Sequence, residues 1–95
     1  MMDKQDYRQV LGQVLHHLGV EIELGSIDIH NSDKTQGLAL NYIGQILKGS
    51  ADEDKLRDKI SQILDLDLNK THILEISQEL LCHDWKERIT LLKNR

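Results

Sequence analysis

Residues 21 to 30 read EIELGSIDIH, and the fold class turns on them. Up to Leu18 the apolar residues recur at helical spacing; here the period changes to two. Ile22 and Leu24 alternate with acids, Gly25-Ser26 interrupts, and Ile27 and Ile29 alternate again. A two-residue Gly-Ser turn of type II′ pairs Leu24 with Ile27 and Ile22 with Ile29, placing all four aliphatic side chains on one face. A one-residue slip in register destroys that agreement, so the pattern predicts a small β-hairpin at about residues 21–30. The alternative is an extended linker whose aliphatic residues happen to alternate.

Upstream, Tyr7, Val10, Leu11, Val14, Leu15 and Leu18 are spaced i, i+3, i+4, i+7, i+8 and i+11. This predicts a helix from about Asp3 to Leu18 that buries all six on one face, with Gly12 as its weak point and Gly19 as its left-handed C-terminal stop. Burial of six such side chains contributes about 1.5 to 3 kcal/mol each before entropy is subtracted. Downstream, Asp33 with Gln36 forms a capping-box pattern opening a second helix to about Lys48, with Leu38, Tyr42, Ile43, Ile46 and Leu47 inward and Gly49 as the stop. Ser50 with Glu53 opens a third helix through Leu64 on Leu56, Ile60, Ile63 and Leu64. Residues 65 to 69 read as an extended connector. Thr71 caps a fourth helix carrying Ile73, Ile76, Leu80 and Leu81, and Asp84 with Glu87 predicts a bend near His83 and a final helix on Trp85, Ile89 and Leu92. The expected fold is therefore mainly α: four or five short helices in a compact bundle, with the hairpin after helix 1. Glycines 37 and 44 lie seven apart near one helix face; surface tolerance accounts for them, with close approach of another helix as the alternative.

Ninety-five residues suit one domain, so residues 1–95 are expected to share one core. With no Phe, one Trp and two Tyr, that core is aliphatic and leaves a margin of roughly 5 to 10 kcal/mol at most, which makes self-association a route to further burial. Apolar residues at 39% and charged residues at 29% mark a globular chain. The net charge of −4 is spread evenly: residues 1–48 hold six acids and four bases, residues 49–95 ten acids and eight bases. Without a basic half, nucleic acid and anionic membrane surfaces are poor expected partners. The single Cys82 cannot close an internal disulfide, no apolar run reaches the length of a membrane span, and MMDKQDYR does not resemble a signal peptide. The expected location is the cytoplasm.

Candidate chemistry is sparse. Asp65-Leu66-Asp67-Leu68-Asn69-Lys70-Thr71 alternates oxygen ligands like a calcium loop, yet Lys70 replaces the required glycine and Ile76 the terminal glutamate. His16 and His17 are adjacent and diverge by about 100° on a helix. Cys82-His83-Asp84 contains the residue types of a thiol triad, but three consecutive residues cannot converge on one reacting atom. No catalytic residue, cofactor or metal ligand is therefore assigned. The expected contact surfaces are whatever packing leaves of Trp85, Ile89 and Leu92, and the acidic turn Asp52, Glu53 and Asp54, joined by the Glu21, Glu23 and Asp28 side of the hairpin.

One stretch carries a family resemblance. ALNYIGQILKG at 39–49, LRDKISQIL at 56–64 and HILEISQELL at 72–81 resemble the small helical two-component connector proteins of bacterial biofilm and acid-resistance regulation. The resemblance spans residues 39–82, rests on Leu and Ile spacing about one ILKG turn, and carries over no binding motif residue by residue. It implies a non-catalytic regulator that binds a response regulator, with a homodimer among the implied states; the expected hairpin departs from that pattern. The function expected from all of this is a small protein-interaction or regulatory module of the adaptor, connector, immunity-protein or chaperone type. The alternative from another class is a nucleic-acid regulator using the basic residues Lys86, Arg88, Lys93 and Arg95.

Overall fold

The computed structural model describes residues 4–27, 33–50, 52–68 and 72–94. Among the described residues five helices follow in order: α1 Lys4–Leu24, α2 Lys34–Leu47, α3 Glu53–Leu64, α4 Ile73–Leu80 and α5 Trp85–Lys93. Among the described residues there is no strand. The expected hairpin is thus corrected over residues 21 to 27, while Asp28, Ile29 and His30 lie outside the described residues.

Local chemistry explains the correction. Glu21, Glu23 and Leu24 are good helix formers, and in helical geometry Ile22 falls seven residues beyond Leu15, on the same buried side. Gly25-Ser26 then ends the helix instead of turning a hairpin. Gly25 takes a positive φ of 76°, its N–H donates to the Ile22 carbonyl (3.0 Å), and the Ser26 N–H donates to the Glu21 carbonyl (2.9 Å). That pair of bonds is a Schellman cap. The same cap recurs at the end of α2, where Gly49 has φ 92° and Gly49 and Ser50 donate to Ile46 and Gln45. At the end of α3 the left-handed position is filled by Asp65 at φ 54°, with Leu66 N–H bonded to the Ser61 carbonyl.

Gly19, expected as the stop of the first helix, lies in its interior because α2 passes over it. A Cβ on Gly19 would stand 2.6 Å from the Gly37 carbonyl oxygen, and one on Gly37 would stand 2.9 Å from the Gly19 oxygen. Seven residues along each helix the contact repeats: a Cβ on Gly12 would lie 2.7 Å from the Gly44 oxygen, and one on Gly44 2.6 Å from the Gly12 oxygen. α1 and α2 therefore run antiparallel with their backbones in mutual contact, locked by two glycines on each. Surface tolerance is corrected to close helix approach for Gly37 and Gly44.

This register also rotates α1 away from its expected orientation. Leu15 and Ile22 are buried against α2 and Leu11 and Leu18 are half-buried, but Tyr7, Val10 and Val14 are exposed, contrary to the expected six-residue inward stripe. α2 is the central element. Eight of its 14 residues are buried, and it meets α1 on one side and α3 and α4 on another. On that second side Leu40, Ile43 and Leu47 join Leu56, Ile60 and Leu64 of α3, Ile73, Ile76 and Leu80 of α4, and Trp85 and Ile89 of α5 in one aliphatic cluster.

The capping patterns are met in part. Asp33 accepts a hydrogen bond from the Gln36 N–H at 3.0 Å, as a capping box requires. The Gln36 side chain does not return to Asp33: it is buried, and its amide donates at 2.6 Å to the carbonyl of Leu80, one of the orphan acceptors at the end of α4. At α3 the N-cap is Asp52, whose N–H donates to Ser50 Oγ at 3.3 Å, so the helix starts later than the Ser50 pattern predicts. Thr71 lies outside the described residues. The expected bend near His83 is a turn over residues 81–84 that separates α4 from α5.

Candidate interaction surface

The contact residues expected from sequence do not come together. Trp85 and Ile89 are each only 4% exposed and belong to the core, so the Trp85 stripe is not a surface. Leu92 is half-buried at the rim of a cleft of about 220 Å³ that also meets Asp65, Asp67, His72 and Lys93. Asp52 and Asp54 are exposed at the start of α3, and half-buried Glu53 lies 3.8 Å from Arg57 Nε one turn along. These three acids suit the positive end of a helix, which accounts for them without a ligand. Glu21 and Glu23 stand on α1, not on a strand.

The surface that does stand out is the side of α1 turned away from α2. Tyr7 is 58% exposed, Val10 47%, Val14 56% and Leu24 70%, spaced so that Tyr7, Val10 and Val14 run down one line. Among the described residues α1 packs on α2 and makes no other substantial helix contact. Around the middle of this line Gln13, Val14, His17, Leu18 and Ile27 border an open groove of about 410 Å³. Its walls are almost wholly apolar because Gly25 turns the chain and sets Ile27 alongside the helix. The sequence reading assigned Tyr7, Val10 and Val14 to the core. The signal that separates them is the matching seven-residue glycine spacing, 12 and 19 against 37 and 44, which identifies the side of α1 that meets α2.

Several ionisable groups are engaged with one another. Across the glycine contact, Lys48 Nζ lies 3.1 Å from His16 Nδ1. The ammonium can only donate, so that ring nitrogen accepts and the imidazole is neutral. Partial burial, then Lys48, then His17 hold the His16 pKa below its usual value. On α5, Arg88 donates to Asp84 at 2.7 Å and to Glu79 at 3.2 Å; the hydrogen bond from Arg88 is the main cause holding the Asp84 carboxyl below the usual carboxylate range. Lys86 pairs with Asp33 at 3.2 Å. Cys82 is half-buried and its Sγ donates to the Gln78 carbonyl, closing the end of α4. Among the described residues no three His, Cys, Asp or Glu side chains converge as metal ligands. Asp65, Asp67 and His72 share the small cleft with the cationic Lys93. No described helix is long and apolar enough to cross a membrane. Compared with family models, curated proteins and solved structures, the chain matches none of them.

Proposed function

We propose that this chain is a small, non-catalytic protein-interaction or regulatory module of the adaptor, connector, immunity-protein or chaperone type, and that it binds a partner protein through the outer face of α1. The observation that carries this reading is the line Tyr7, Val10 and Val14, about half exposed on a helix whose opposite side is already in backbone contact with α2. Covering such side chains is favourable at about 25 cal/mol per Å² of apolar surface, and an amphipathic helix laid along a groove is a common way to do it. The resemblance of residues 39–82 to two-component connectors suggests a response regulator as the kind of partner; it falls on α2 to α4 and names no contact residue. A bacterial, cytoplasmic setting belongs to the same proposal and suits a lone thiol.

The test is affinity capture from the native cell with the tagged chain and its Val10→Asp/Val14→Asp variant. Loss of a captured protein in the variant, with circular dichroism and melting unchanged, supports the reading. Undiminished capture by the variant refutes it. No observation favours the nucleic-acid alternative: Lys86 and Arg88 are spent on Asp33, Asp84 and Glu79, Arg95 lies outside the described residues, and phosphate binding needs cations free to displace counterions. A gel shift surviving physiological salt would reinstate it.

A further inference from the structure

We draw no further inference here: the strongest candidate, the outer face of α1 with the apolar groove between Val14, Leu18 and Ile27, belongs to the surface already described, and nothing in the structure shows what covers it.

Discussion

The contact between α1 and α2 and the cluster formed by α2 with α3, α4 and α5 are built on opposite principles. On the first side the helices meet backbone to backbone, through Gly12, Gly19, Gly37 and Gly44, with Leu15 and Ile22 filling the flank. On the second they are held apart by Leu, Ile and Trp side chains, among which Leu40, Ile43, Ile60 and Leu80 are fully buried. The first tolerates no added atom and the second no removed one. A contact between glycines gains little apolar burial, and α1 retains a line of exposed apolar residues, Tyr7, Val10 and Val14, on its other side; elsewhere Leu74, Leu81 and Leu91 are also exposed.

The largest effect is expected from deletion in the side-chain cluster. Ile60→Ala should cost about 2 to 5 kcal/mol, read from urea unfolding, because the void it leaves between α2 and α3 is only partly closed by relaxation. Gly44→Ala tests the other side by addition. Alanine gains about 1 kcal/mol in helix propensity, yet its Cβ meets the His16 N–H and lies 2.6 Å from the Gly12 oxygen, so a net loss of about 1 to 3 kcal/mol is expected. A neutral or stabilising Gly44→Ala would show that the helices are not in backbone contact. Gln36→Leu removes the polar link between α2 and α4 and leaves the Leu80 carbonyl unpaired, for a loss of about 1 to 3 kcal/mol.

The smallest effect is acid sensitivity at the glycine side. The folded-state pKa of His16 lies below its unfolded value, so its contribution to stability is complete above the unfolded pKa and is lost as pH falls through the folded one. A melting-temperature series from neutral toward acid pH should therefore decline through and below the ordinary histidine range. Lys48→Gln should shrink that decline, and the NMR titration of His16 should move back toward its usual value. A His16 titration unaffected by Lys48→Gln would show that the 3.1 Å contact is not formed in solution.

Much of the helical framework was legible in the chain. Asp33 and Gly49 mark helix ends because caps are local: they depend on side chains and φ angles within four residues. Asp84 stands at the start of α5 as expected, but its carboxylate bonds Arg88 and caps no backbone N–H. Alternation of Ile22, Leu24, Ile27 and Ile29 misled because a period of two and a helix end can share the same letters over so short a run, and Gly25-Ser26 serves equally as hairpin turn and Schellman cap. Trp85 as an anchor and the acidic Asp52–Asp54 turn were visible as residues but not as surfaces. Burial of Trp85 depends on α4 and α5 closing on α2, which no spacing within α5 reports.

By itself the sequence determined an aliphatic, mainly helical chain and where several of its helices stop, since these follow from propensity, capping and periodicity within a few residues; it left the number of helices at four or five. Only the tertiary structure decided that Gly19 is a crossing point and not a terminus, and hence that Tyr7, Val10 and Val14 face outward. The physical reason is that glycine has two uses, freedom at positive φ and absence of a Cβ, and the second takes effect only where another backbone arrives from a distant part of the chain.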